Sequence, residues 1–278
     1  MKSVLAKRME DFGTLTSGIR ILPTFLVVGA QRSGTSSLYE YLVNHPAVGR
    51  SLVEEVHYFD WNYDRGVRWY RGHFPTNVRA AYLKARSSTE PITGEATPYY
   101  MFHPLAPKRI ASDLPNAKLF VVLRNPVDRA YSHHQHERAM GFETLSFEDA
   151  LEQEPLRLQG EVEKILQDPA YRGFNHQHYS YFSRGVYVDQ LENLYSLFPQ
   201  DQILVATSDE LAKEPASVYA KAIDFLGLPP HSLPKFPKHN TGKYTPMDPT
   251  TRERLTARFA EANERLYGLL ETRPLWED

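Results

Sequence analysis

The chain has 278 residues, 41% of them hydrophobic, and its 32 basic and 34 acidic side chains leave a formal charge of −2. That length and apolar content suffice for one large α/β core, and the near-balanced charge gives no global attraction to nucleic acid or to an anionic membrane. Cysteine is absent, which excludes disulfides, thiolate metal sites and a cysteine nucleophile and suits a reducing compartment.

Residues 1–22 open as a polar, charged extension without the apolar run of a secretory signal. No uninterrupted apolar stretch approaches the roughly 18–20 residues that span a bilayer. The expectation is a cytoplasmic protein with no membrane span. TFLVVG, residues 24–29, is a continuous apolar run ending in glycine, the signature of a buried parallel strand. Ser37, Leu38, Tyr41 and Leu42 then recur at helical spacing, and Asn44-His45-Pro46 stops that helix.

The turn between strand and helix nearly follows the phosphate-binding pattern G-x-x-x-x-G-K-[ST]. Gly29, Gly34 and Ser36 hold their places, Thr35 replaces the lysine, and a cation stands earlier as Arg32. The amides of residues 33–36 and the helix amino terminus form an anion cradle, and the hydroxyls of Ser33, Thr35, Ser36 and Ser37 add donors. The competing reading is a plain strand–helix turn with small polar caps.

Residues 58–74, YFDWNYDRGVRWYRGHF, are dense in aromatics and arginines. They read as an excursion above the strand ends, with Trp61, Tyr63, Trp69, Tyr70 and Phe74 as a stacking surface for sugar rings or as core. Arg65, Arg68 and Arg71 between them suit an acidic group. Residues 92–95 form a further short strand. KLFVVL, residues 118–123, is another buried strand, followed by Asn125 as helix N-cap, Pro126 as first helical residue and a helix over 127–139.

A nucleotide triphosphatase usually carries a metal-binding acid at such a strand end. Here Arg124 stands there, and Ser132 lies in the second helical turn beyond it. An arginine fork and a hydroxyl grip phosphate well, whereas the competing reading pairs Arg124 with Asp128. His133, His136 and Glu137 share a helical face, but the zinc pattern H-E-x-x-H is missing, so no metal is expected. Residues 141–184 read as an acceptor-side insertion or lid. Helical patterns over 186–198, 216–226 and 250–270 flank a third strand, QILVAT, at 202–207. Strands alternating with helices imply a mostly parallel central sheet flanked by helices on both faces. The ligand expected from the two strand ends has two separated anionic groups and needs no metal.

GAQRSGTSS (29–37) and LRNPVDRAYS (123–132) resemble the two nucleotide motifs of sulfotransferases that use 3′-phosphoadenosine 5′-phosphosulfate (PAPS), in particular the heparan-sulfate and carbohydrate branch. The resemblance spans residues 25–270 and implies a P-loop-like α/β fold, a single sulfotransferase domain over 1–278, PAPS as co-substrate and PAP as product. It implies that Arg32 and the turn of Ser33, Gly34, Thr35, Ser36 and Ser37 hold the 5′-phosphosulfate, with Arg124 and Ser132 on the 3′-phosphate. HNTGKY (239–244) resembles a basic loop that closes over the nucleotide through Gly242, Lys243 and Tyr244. EEVHYFD (54–60) resembles the segment that carries the catalytic base, which gives Glu55 that role, with His57 assisting or replacing it. Arg32 would also stabilise charge on the leaving phosphate.

Two departures bear on the acceptor. Arg32 stands where the branch commonly has lysine, and Ala96 in GEATPYY stands where it often has another lysine. With no cysteine and no anchor segment, a bacterial-type soluble member is the better match. A carbohydrate hydroxyl is the expected acceptor. A phenolic or lipid-linked hydroxyl, an ATP-dependent kinase with a degenerate P-loop, and a nucleotide-binding module without catalysis stand as alternatives.

Overall fold

Among the described residues five strands form one sheet. They are β1 (Phe25–Gly29), β2 (Val48–Gly49), β3 (Ile92–Ala96), β4 (Lys118–Leu123) and β5 (Ile203–Thr207). Their order is β2-β3-β1-β4-β5, and all four pairings are parallel. The structure is a computed structural model that describes residues 2–168, 170–237, 245–273 and 276, with side chains from residue 8 onward.

Helices cover both faces. Helix α1 (Lys2–Leu15) precedes the sheet and α2 (Thr35–Val43) leaves β1. Between β2 and β3 lie α3 (Tyr58–Trp61), α4 (Gly66–Arg71) and α5 (Asn77–Ser87). Helix α6 (Ala106–Asp113) leads into β4. The chain then runs through α7 (Pro126–Met140), α8 (Phe147–Leu158), α9 (Glu161–Gln167), α10 (Phe174–His178) and α11 (Tyr187–Leu197) before β5. After β5 come α12 (Ser208–Lys213), α13 (Pro215–Phe225) and α14 (Pro249–Leu270).

The unbroken apolar runs of β1 and β4 follow from this double cover. Phe25, Val27, Phe120 and Val122 point to a core shared with Leu38 and Leu42 of α2 and Val218 and Ile223 of α13. Leu26, Val28, Leu119 and Val121 point the other way, onto Ile110 of α6, Leu191 and Leu194 of α11 and Leu266 of α14. The two-residue side-chain period of a strand thus serves two cores at once.

The chain leaves β1 toward β2 and β3 on one side, then crosses to β4 on the other. The β1/β4 crevice is therefore the point where strand order reverses, the usual ligand position in open α/β sheets. Asn125 sets the exit from β4. Its Oδ1 accepts from the amides of Val127 at 2.9 Å and Asp128 at 3.4 Å, and Pro126 opens α7.

One segment differs from expectation, and two others are defined by what they pack on. Residues 58–74 are not an excursion over the strand ends. Tyr58, Phe59, Trp69, Tyr70 and Phe74 are buried in the α6/α11 core, because burying several large rings outweighs exposing them to a sugar. Residues 141–184 are largely helical, and Phe147, Ala150, Leu151 and Tyr181 share a third core with Val127, Leu255 and Phe259. Within the amino-terminal extension, α1 docks on α4, where Glu10 accepts from Arg65 at 2.9 Å.

Candidate active site

The first loop ends β1 and opens α2. Gly34 is the N-cap, at φ +100°, and as a glycine it supplies no side-chain cap. A Cβ at Gly34 would come within 3.1 Å of Leu211 Cδ2, so glycine fits both the space and the left-handed backbone. Arg32 takes φ +68°. Among the described residues only Arg32, His57, Ser88 and Glu271 are non-glycine residues at positive φ. Ser88 and Glu271 are helix C-caps, a place where that conformation is common. Arg32 and His57 are not, and strain of this kind gathers at functional sites.

The structure brings Arg32, Arg124 and Ser132 together. Arg32 Nε donates to Ser132 Oγ at 3.2 Å, and Arg124 Nη1 donates to the Arg32 carbonyl at 3.1 Å. The Tyr187 hydroxyl donates to the Arg124 carbonyl at 3.0 Å. Ser132 is buried on the inner side of α7. Sequence reading turned its hydroxyl toward Arg124; here it meets Arg32. Asp128 does not pair with Arg124, because it bonds Arg252 of α14 instead. Cations, hydroxyls and helix-terminal amides at one strand crevice form a donor set suited to a polyanion. The residues present therefore fit a nucleotide that carries separated phosphate groups. Gly242, Lys243 and Tyr244 lie outside the described residues.

Glu55 and His57 lie just before α3. His57 Nε2 meets Glu55 Oε2 at 3.1 Å, and its Nδ1 meets Asp60 Oδ2 at 2.6 Å. Asp60 is buried, and its Oδ1 accepts from the Trp61 amide at 2.7 Å. The His57 ring also stacks on Trp61 with centroids 3.9 Å apart. Burial alone would lower its pKa, but the bonds and charges of Asp60 and then Glu55 prevail and hold it up at about 10. His57 is thus an imidazolium at neutral pH and cannot accept a proton. The Glu55 carboxylate is half-exposed and available to do so.

A buried glutamate fixes this segment. Glu95 of β3 accepts from Tyr70 and Tyr100 hydroxyls at 2.9 Å each, from the Thr97 hydroxyl at 2.5 Å and from the Val56 amide at 3.2 Å. Tyr100 Oη in turn accepts from the Tyr58 amide at 2.9 Å, and the Ala96 amide donates to the Glu54 carbonyl at 3.2 Å. The backbone on both sides of His57 is therefore tied to the residues at the end of β3. Burial pushes the Glu95 pKa up to about 7 against the pull of its four donors. Sequence reading ended a short strand, residues 92–95, at Glu95 but gave Glu95 and Asp60 no role. The three-residue step from His57 to Asp60 was the available signal.

The remaining candidates divide. His133 meets Glu137 at 3.1 Å, and Glu137 also meets His178 Nδ1 at 2.8 Å. Burial holds His133 neutral, at about 3. The His136 pKa is lowered by burial first and then by Arg32, against Glu137 and Glu55. Arg32 and Glu55 thus both act on its charge. Trp69, Tyr70 and Phe74 are core, which leaves the half-buried Trp61 and Tyr63 from the expected stacking surface. Arg65 is taken by Glu10 and lies over Trp69, and Arg71 donates to the Arg20 carbonyl.

The family model described as a sulfotransferase domain matches residues 22–262. The human bifunctional heparan sulfate N-deacetylase/N-sulfotransferase 3 is 30% identical over 95% of this chain, which spans 32% of that protein. The mouse heparan sulfate glucosamine 3-O-sulfotransferase 6 is 34% identical over 76% of this chain, which spans 54% of it. Among solved structures, a sulfotransferase from Alicyclobacillus acidocaldarius is 30% identical, covers 91% of this chain and 98% of its own, and superposes with a TM-score of 0.65.

Proposed function

The chain belongs to the sulfotransferase family, and on that premise we propose that it moves the sulfuryl group of PAPS to an acceptor hydroxyl on a carbohydrate or glycoconjugate, without a metal. The observation that carries this reading is the junction of Arg32, Arg124 and Ser132 at the β1/β4 crevice, together with the Glu55–His57–Asp60 array. Residues 1–278 act as one domain, with 141–184 on the acceptor side. PAP is the product. The relatives named for heparan sulfate support the carbohydrate preference, and Ala96, in place of that branch's lysine, points to a different glycan.

Arg32, the amides and hydroxyls of Ser33, Gly34, Thr35, Ser36 and Ser37, and Arg124 with Ser132 would hold the nucleotide, which supplies an already activated sulfuryl group. Arg32 and the α2 amides meet charge that builds on the leaving phosphate, and this differential stabilisation lowers the barrier. Glu55 takes the proton of the acceptor hydroxyl. His57, kept cationic by Asp60, orients Glu55 through the bond at 3.1 Å. With a cation at the end of β4, the strand presents no acid for magnesium.

The test is a panel of glycans and small phenols with sulfur-labelled PAPS, with and without a chelator. Labelled glycan that persists in the chelator is the expected result. Transfer to phenols only would overturn the carbohydrate preference. Magnesium-dependent phosphorylation from ATP would establish the kinase alternative, and PAP binding without acceptor-dependent turnover a binding module.

A further inference from the structure

Two of the three arginines expected to hold an acidic group are engaged elsewhere, Arg65 by Glu10 and Arg71 by the Arg20 carbonyl. A different arginine meets the stacking residue that stays half-buried. Arg172, on the link between α9 and α10, holds its guanidinium carbon over the Trp61 ring, 5.9 Å from the centre. That distance is within the range of a cation–π contact. The same indole stacks on His57 at 3.9 Å, and His57 Nε2 meets Glu55 Oε2 at 3.1 Å. Arg172, Trp61, His57 and Glu55 thus form one continuous series that ends at the carboxylate proposed as base.

Both neighbours of Arg172 are fixed. The Tyr171 hydroxyl donates to the Glu161 carboxylate, 2.9 and 3.0 Å from its two oxygens. Gly173 takes φ +57°, and a Cβ there would come within 2.7 Å of Ile165 Cδ1, so the turn that follows Arg172 requires glycine. Arg172 itself is exposed. The nearby carboxylates have other partners: Glu161 holds Tyr171 and Lys164, Asp60 holds His57 and the Trp61 amide, and Glu55 holds His57. Among the described residues no carboxylate pairs with Arg172. Its guanidinium is therefore positioned by an indole and open to an anion from solution.

We infer that Arg172 is a specificity-determining residue, which receives an oxyanion of the acceptor, a carboxylate or sulfate ester close to the reacting hydroxyl, and so selects an acidic sugar over a neutral one. The planar guanidinium fork matches two oxygens of such a group. Glu55 and Asp60 set two negative charges against the one positive charge of His57, so an acidic sugar would be repelled from the base without a further cation. Arg172 supplies that cation. The inference rests on the sulfotransferase reading and names the acceptor class within it.

The test uses the full chain saturated with PAP and three oligosaccharides of one backbone, titrated by calorimetry. One contains hexuronic acid, the second is the same chain with its carboxyls reduced to alcohols, and the third is a sulfate ester of that reduced chain. At least one charged form should bind about tenfold tighter than the neutral one, and which of them does so identifies the oxyanion. Arg172→Ala should remove that advantage, and Arg172→Lys should restore part of it, because lysine keeps the charge and loses the fork. Arg86→Ala, which removes an exposed cation of α5, should leave the advantage in place. Equal binding of charged and neutral forms would overturn the inference, as would an advantage that survives in Arg172→Ala. An equal loss in Arg86→Ala would do the same, since it would trace the preference to overall charge. Binding needs no turnover, so these outcomes are separate from a failure of the sulfotransferase reading, which would appear as no labelled transfer from PAPS to any acceptor.

Discussion

Arg32 Nε donates to the Ser132 hydroxyl at 3.2 Å, a bond between residues one hundred positions apart. It joins the loop after β1 to the second turn of α7, so the two anion grips share a residue. Calorimetric titration with PAP should show this sharing. Ser132→Ala should weaken binding about tenfold and Arg32→Ala about a hundredfold, the scale of hydrogen bonds to charged groups. The double variant should lose less than the product of the two, because each single change already breaks the common bond. Strictly multiplicative losses would show that the grips act separately.

Glu55 is the remaining base candidate once His57 is held as a cation. Glu55→Gln keeps size and removes the proton acceptor. Turnover should fall at least about tenfold, with the dissociation constant for PAP unchanged. Near-normal turnover would remove Glu55 from the mechanism.

The charge on His57 depends on Asp60. With the folded pKa at about 10 against 6.5 unfolded, the stabilisation is fully present below pH 6.5 and is lost as pH rises through about 10. Nitrogen-15 NMR of the ring should find both nitrogens protonated at pH 8. Asp60→Asn should bring the titration down toward the ordinary histidine range and lower turnover, while PAP still binds. A wild-type His57 that titrates near pH 6.5 would contradict the two-carboxylate clamp.

The strands beside the crevice were legible because parallel strands covered on both faces must be apolar throughout, and residues 118–123 coincide with β4. Asn125-Pro126 announced α7 through cap chemistry that is local to the sequence. Strand β2 has two residues, Val48 and Gly49, too few for any period to show. Trp69 and Tyr70 look the same in sequence whether they stack on a sugar or fill a core, and only the packing of α4 decides it. The residues of the two strand-end motifs could be named from sequence because each motif is contiguous. Asp60 escaped because a carboxylate among aromatics reads as solvated, and Glu95 because strand alternation does not say which end of the chain its side chain will anchor.

Glu95 carries the last prediction, on positioning rather than chemistry. As a carboxylate it can accept all four of its donors, from Tyr70, Tyr100, Thr97 and Val56. An amide cannot: its NH2 would face two of them. Glu95→Gln should therefore loosen the backbone around His57 and lower kcat about tenfold, with PAP affinity unchanged, because Glu95 touches no part of the cradle. Stability separates this from a general folding defect. The Glu95 pKa is pushed up to about 7 from 4.5, so its contribution is fully present below pH 4.5 and is lost as pH rises through 7. Wild-type Tm relative to that of Glu95→Gln should decline across that window, since the amide does not titrate. A variant with full kcat would show that the tie to Val56 does not position Glu55. A Tm difference that ignores pH would show that the buried carboxyl does not ionise there.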